Sequence, residues 1–479
     1  MKKLMMAALV PALLVGCSNE QSQTPKGSGG FFEHFMTQSA PAITITAIDD
    51  TPLVGAQILI GYEVDATFPG NFLTTDQNGQ VQLPAEWTEA LPVTVQAEGY
   101  VRATYLSQEP GALTIKLRKL PMTQQFEVRG NTQGLPIVDK DGYVDFGLIM
   151  PAFSKADLLA FDINNVISPQ SDRISTLGQD IDIPTNISLP KQSEKYSFFT
   201  ATLDKPLYRI YFQQPGVTRV YAARGRFPFK TVVDSVRKGA EFYELINEFK
   251  INGGGVRDIE VKSGKTTLDI PVRELNYTEK KEVLAPTIAG DEVFLAVGVA
   301  NQSGLLIPTD VKKINSNKKM ALTVLPEAEQ MVLGVLKKAA DLKKSGDRMS
   351  ATILPLVAGV NPKMLPLIPD PSVRNGEIIL PKFNTIDGVN PIATYSVLSK
   401  EIEVVQGSAK VKLMTPLWDV YAGSWVETMK LPQWPGETPV TGKKRWEVNF
   451  VGSQTASQSA VGPAMIEAAT HVTHSSVTF

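Results

Sequence analysis

Between residues 42 and 118 apolar and polar positions alternate with a period of two. Ile43 and Ile45 alternate with Thr44 and Thr46, and Ala56, Ile58 and Ile60 repeat the rhythm. Val93, Val95 and Ala97 do the same around Thr94 and Gln96, as do Leu113, Ile115 and Leu117 around Thr114 and Lys116. A period of two puts every apolar side chain on one face of an extended strand. The runs are separated by turn signals, Asp49-Asp50-Thr51-Pro52 and Asp76-Gln77-Asn78-Gly79, the second with an Asn-Gly pair that tolerates positive φ. Residues 41–119 are therefore expected to form a small antiparallel sandwich.

The alternation continues through residues 120–284, in Tyr143-Val144-Asp145-Phe146, Ile181-Asp182-Ile183, Tyr208-Arg209-Ile210-Tyr211-Phe212 and Ile259-Glu260-Val261. One stretch changes period. Val232, Val236, Phe242, Leu245 and Phe249 predict a helix over 231–249, weakened by Gly239 and stopped by Asn252-Gly253-Gly254-Gly255. Residues 277–286 are charged and then broken by proline, which suits a linker. Residues 287–479 again look mostly β, with Val293-Phe294-Leu295-Ala296-Val297 as a buried strand. Residues 327–344 suit either a helix or a strand; a strand is preferred, because 349–354 can then pair back across a turn at 343–347. Pro355, Pro362, Pro366, Pro369 and Pro371 fix φ and remove donors, so an extended connector near 355–375 is expected to divide this region.

The start of the chain follows a different pattern. Lys2 and Lys3 precede an apolar run over residues 4–15, followed by Gly16 and Cys17. About a dozen apolar residues are too few to span a bilayer but suit a secretory signal. Leu14-Val15-Gly16-Cys17 resembles the lipobox of bacterial lipoproteins, and Cys17 is the one cysteine of the chain. The resemblance implies a signal peptide over 1–16, cleavage before Cys17 and fatty acylation of its thiol and amino group. Residues 17–40, with Gly27-Ser28-Gly29-Gly30, then form a flexible tether. Phe31, Phe32 and Phe35 would dock on the folded body in preference to the membrane, and His34 would be solvated. Ser18 and Asn19 follow the cysteine without aspartate, which in enteric lipoproteins implies the outer membrane.

Residues 41–119 resemble the carboxypeptidase regulatory-like, or transthyretin-like, β-sandwich. The match rests on Asp50-Thr51-Pro52-Leu53-Val54-Gly55-Ala56, on Thr75-Asp76-Gln77-Asn78-Gly79-Gln80-Val81, on Glu98-Gly99-Tyr100 and on the closing strand over 113–117. The resemblance implies a structural and interaction module without catalytic residues. The fold class expected overall is mainly β: several antiparallel sandwiches of transthyretin or immunoglobulin type in tandem, over 41–119, 120–284 and 287–479, behind the lipoprotein signal and tether.

Composition sharpens this picture. With 43% hydrophobic and 20% charged residues the chain can bury real cores. A net charge of −2 provides no electrostatic footprint for nucleic acid. Acylated Cys17 would leave no thiol for disulfides or soft metals.

Several strings imitate functional motifs. Asp139, Asp141 and Asp145 resemble the middle of a calcium loop, but Ile137 and Leu148 stand where its outer ligands belong, so a hairpin turn is preferred. Ser263-Gly264-Lys265-Thr266-Thr267 imitates a phosphate-binding loop, but Ile259 occupies its first glycine position, and a turn is the better reading. Arg224-Gly225-Arg226 could meet an acidic ligand, but a solvated turn is the preferred reading. Trp418, Tyr421, Trp425, Trp434 and Trp446 crowd the C-terminal region. Exposed together they would make a platform for sugar rings; buried, the reading preferred here, they are sandwich core. His471 and His474, three apart on a strand, make a poor chelating pair.

No nucleophile elbow or zinc helix is present, an acylated Cys17 would not be available as a nucleophile, and the three histidines fall outside any recognised catalytic motif. The expectation is a non-catalytic binding, adhesion or scaffolding lipoprotein of the cell envelope, held to the outer membrane by acyl chains and without a cofactor. Its ligand would be a glycan or a protein. Two alternatives stay open: a glycan-processing enzyme using a carboxylate pair, and an accessory subunit of an outer-membrane complex.

Overall fold

The computed structural model describes residues 42–62, 72–121, 126–134, 142–159, 170–176, 179–184, 207–212, 215–302, 304–343, 348–374, 377–382, 384–406, 409–435, 441–459 and 461–479. The signal, Cys17, the tether, Asp139 and Asp141 lie outside them. The fold is mainly β and is built from antiparallel sheets with a few parallel pairings.

The first sandwich follows its alternation. Ala42–Ala47 lies between Gln80–Gln82, antiparallel, and Leu113–Leu117, parallel. Facing it are Gln57–Ile60, Leu91–Gln96 and Arg102–Gln108. Ile43, Ile45, Ile58, Ile60, Val93, Val95, Ile115 and Leu117 are all buried between the layers. Each contributes about 1.5–3 kcal/mol of transfer free energy relative to exposure. Asp76 closes the second turn, its Oδ1 accepting from the Asn78 and Gln80 amides at 2.8 and 2.9 Å. Gly79 there has φ +71°, and a Cβ would stand 2.6 Å from the Ile45 carbonyl oxygen, so glycine is required.

This sandwich is not set apart from the rest. Arg102–Gln108 pairs parallel with Ala409–Ala422, in register from Trp418 against Arg102 to Tyr421 against Tyr105. One continuous sheet of twelve strands results. Its order is Leu305–Ile314, Glu292–Gln302, Glu329–Lys338, Met349–Pro355, His471–Thr478, Lys444–Ser453, Asn390–Gln406, Ala409–Ala422, Arg102–Gln108, Leu91–Gln96, Gln57–Ile60 and Leu73–Thr74. One face carries Val299, Leu333, Ile353, Ala393, Val397, Val451 and Val472. The other is covered in two places: the pair Glu279–Leu284 and Lys319–Val324 buries Phe294, Leu322 and Leu336, while Ser372–Arg374, Glu377–Ile379 and Thr428–Lys430 lie over Trp418, Trp446 and Phe450. Strands covered on both faces read as apolar runs, as Val293 to Val297 does.

Described strands between 126 and 276 form a second sandwich. Leu207–Phe212, Phe126–Gln133 and Lys265–Thr267 make one sheet; Leu275–Asn276, Lys250–Val261, Gly216–Pro228 and Tyr143–Pro151 make the other. Phe126, Val128, Ile149, Ile210, Val220 and Ile259 are buried in its core.

Several expectations are corrected. The single helix over 231–249 is two, Phe229–Arg237 and Phe242–Leu245, followed by a 3-10 turn at Ile246–Glu248; Gly239, at φ +87°, breaks it. Asn252-Gly253-Gly254-Gly255 does not stop a helix but lies inside the strand Lys250–Val261. The glycines permit close backbone approach: a Cβ on Gly255 would stand 1.7 Å from the Pro271 carbonyl oxygen. Residues 277–286 are no linker, since Glu279–Leu284 pairs antiparallel with Lys319–Val324. Nor does the proline-rich 355–375 segment divide the C-terminal region. The twelve-stranded sheet crosses it, with Met349–Pro355 paired to His471–Thr478, and Leu365 and Ile368 pack inward from it. Glu329–Lys338 is a strand that pairs with Met349–Pro355, as preferred.

Candidate functional site

The aromatic cluster is the strongest site candidate in the described residues, and the structure makes it a junction. Trp418, Tyr421, Trp434 and Trp446 are buried, and Trp425 is half-buried with its Nε1 donating to the Val451 carbonyl at 2.8 Å. No exposed stacking platform forms from them, which corrects that alternative: Trp418, Tyr421 and Trp446 lie on strands covered by other layers, and Trp434 is buried outside the sheet. Trp418 Nε1 donates to Thr104 Oγ1 at 2.8 Å, and Thr104 Oγ1 lies 2.8 Å from Thr94 Oγ1. The Arg102 guanidinium lies 4.8 Å from the Trp418 ring centroid and 5.0 Å from that of Trp434. Phe72 stacks on Trp434 at 4.7 Å. On the opposite face, Tyr421 stacks on Tyr395 at 4.8 Å and meets Tyr105 edge-on at 5.1 Å.

A charged pair completes the junction. Arg118, just past the last strand of the first sandwich, donates from Nε and Nη2 to Asp419 Oδ2 and Oδ1 at 2.7 and 2.6 Å. Tyr395 Oη donates to Asp419 Oδ1 at 3.0 Å. The Asp419 side chain is 3% exposed. Burial, then the Asp419 charge, pushes the Tyr421 hydroxyl well above its ordinary range, and burial raises Tyr105 likewise. Both phenols stay neutral near pH 7, and their rings pack the junction. Sequence reading placed Trp418 and Tyr421 correctly in a core but missed Arg102, Arg118 and Asp419. A lone arginine beside an apolar strand carries no local signal of a partner some 300 residues away.

The remaining candidates also resolve into contacts. Asp145 is held by Arg226, Nε to Oδ1 at 3.4 Å. Among the described residues no three of His, Cys, Asp and Glu are grouped to hold a metal ion. Arg224 and Arg226 lie inside the strand Gly216–Pro228 and not in a turn. Ser263 and Gly264, the latter at φ +100°, turn the chain into Lys265–Thr267, which pairs parallel with Phe126–Gln133. His474 Nδ1 lies 3.0 Å from Asn449 Oδ1.

His471 is buried as a neutral ring. Its Nε2 lies 3.0 Å from the Lys363 carbonyl oxygen, which can only accept, so Nε2 carries the proton. Nδ1 then accepts from Thr470 Oγ1 at 2.8 Å. Burial holds its pKa down at about 4, against an ordinary 6.5. Between those values the unfolded chain binds a proton that the folded one refuses, so this contribution is complete above pH 6.5 and lost as pH falls toward 4. The contribution is about 3 kcal/mol at most. Urea unfolding measured from pH 7 to pH 4 should show a smaller loss of stability for His471→Gln than for the parent chain. Equal pH slopes would remove His471 as a cause.

No family model and no curated protein matches the chain. Solved structures show slight similarity, among them the following three. The Bacillus anthracis TIE protein matches over 67% of this chain and 48% of its own, at 11% identity and a TM-score of 0.15. BcpA, the major pilin subunit of Bacillus cereus, matches over 81% and 99%, at 9% identity and a TM-score of 0.14. A streptococcal ancillary pilin matches over 68% and 98%, at 8% identity and a TM-score of 0.13. The chain spans about half the length of the first of these. Similarities this slight carry no argument about function.

Proposed function

We propose that this chain is a lipid-anchored protein of the bacterial cell envelope that acts by binding, adhesion or scaffolding and not by catalysis. One observation carries the reading: the sole cysteine, Cys17, ends a short apolar run behind two lysines, in the sequence Leu14-Val15-Gly16-Cys17. Acyl chains on Cys17 would hold the body at the membrane, and two or more chains are needed for stable anchoring. The tether over 17–40 would then present a body of β-layers, the outer membrane being the expected site. Such a body would serve an adhesive or scaffolding role toward a glycan or protein. The glycan-processing alternative is weakened, since its aromatic platform is core.

The test is metabolic labelling of cells with an alkyne fatty acid, together with fractionation. The parent chain should be labelled and sediment with membranes. Cys17→Ala should lose the label and leave the membrane fraction. A Cys17→Ala protein that remains equally membrane-bound would overturn the anchor. Protease treatment of intact cells then separates an outward-facing adhesin, which is cleaved, from an inward-facing scaffold, which is protected.

A further inference from the structure

At one end of the second sandwich the apolar core gives way to positive charge. Along Gly216–Pro228, Val220 and Ala222 face the core with Ile149. By strand alternation the next positions on that face are Arg224 and Arg226. Arg224 is flanked in register by Gly147 on one neighbouring strand and Gly253 on the other. No side chain therefore flanks it in register on these two strands, and its guanidinium lies close over Gly253: a Cβ there would stand 3.2 Å from Arg224 Nη2. Arg224 Nε is buried and has no hydrogen-bond partner among the described residues.

Charge gathers around this group. Arg273 comes from the segment between Ile270–Pro271 and Leu275–Asn276, its Nε donating to the Gly134 carbonyl at 2.6 Å. Burial first, and then repulsion from Arg273 and Arg226, disfavour the charged form of Arg224; Asp145 alone favours it. That carboxylate already pairs with Arg226. Among the described residues, Arg224 thus feels the charge of two other guanidinium groups and of one carboxylate, which Arg226 already holds.

We propose that this end of the second sandwich binds an oxyanion group, a phosphate or a sulfate, with Arg224 as principal donor and Arg226 and Arg273 beside it. Tetrahedral oxyanions accept from several N–H groups at once, and the guanidinium fork matches them in pairs. An anion would neutralise the repulsion and engage the idle Nε together. The inference concerns the folded body and stands whether or not Cys17 is acylated.

The experiment is thermal unfolding of the full-length protein in detergent at low salt. Sodium phosphate, sodium sulfate and sodium chloride are added at matched ionic strength. Phosphate and sulfate stabilise many proteins by exclusion from their surfaces, so the parent chain is compared with Arg224→Met, where that general effect persists. Phosphate or sulfate should raise the parent's Tm in a saturable manner beyond chloride, and Arg224→Met should lack the saturable part. Arg273→Met should weaken the midpoint of the effect about tenfold, which covers the case in which Arg224→Met does not fold. The anion with the lower midpoint identifies the preferred oxyanion. A rise matched by chloride would show screening only, and a saturable rise kept in both variants would place the anion elsewhere; either result overturns the proposal.

Discussion

Arg118→Met should destabilise the protein by about 3–5 kcal/mol, the usual consequence of stripping one partner from a buried ion pair. Asp419 has a 3% exposed side chain and both its oxygens are engaged by Arg118, with Tyr395 adding one further donor. Methionine fills much of the arginine stem's volume, so packing is largely kept while the carboxylate loses its countercharge. Tyr395 alone cannot solvate a charge that has left water. The site joins the first sandwich to the twelve-stranded sheet beside the parallel ladder from Arg102 to Tyr105, so the lesion falls on the junction. Urea unfolding measures the loss. The double variant Arg118→Met with Asp419→Leu should recover a large part of it, because the orphaned charge is then gone. A loss below about 1 kcal/mol would mean that water reaches Asp419 and that the pair behaves as a surface salt bridge.

Trp446→Ala should cost about 3–5 kcal/mol, through lost transfer energy and the cavity left behind. Trp446 is 2% exposed and belongs to the core formed with Trp418, Phe450, Ile378 and Met429. The layer over it is short, three strands of three residues each, so the site has little freedom to collapse. Trp446→Phe should cost less, since a ring remains. The same pair of variants tests the core reading against a ligand platform. A platform tryptophan would lose sugar binding with little change in unfolding. Large destabilisation by Trp446→Ala, partly restored in Trp446→Phe, identifies core; an unchanged unfolding midpoint would return the residue to the surface.

The alternation of Ile43, Ile45, Ile58, Ile60, Val93, Val95, Ile115 and Leu117 was enough to place the first sandwich. Its turns at Asp49 to Pro52 and Asp76 to Gly79 were equally plain. Period and turn chemistry are local properties, and a local pattern can be read locally. The strand at 329–338 yielded to the same reasoning once its partner was considered. The glycines from 253 to 255 did not. Glycine ends a helix or lets two backbones close together, and only the Pro271 carbonyl above Gly255 decides which.

Sequence by itself determined that this is a mainly β chain, where several of its first strands and turns lie, and that Cys17 stands alone behind an apolar run. Tertiary structure decided how the sandwiches join, because a parallel strand pair needs no turn and leaves no trace in either strand. It decided that Trp418 and Trp446 are core, since an aromatic residue looks the same whether a sheet or water lies above it. It also decided that Arg118 meets Asp419 and that Arg226 meets Asp145. Charge is written in the sequence, but the distance between charges is set only by the fold.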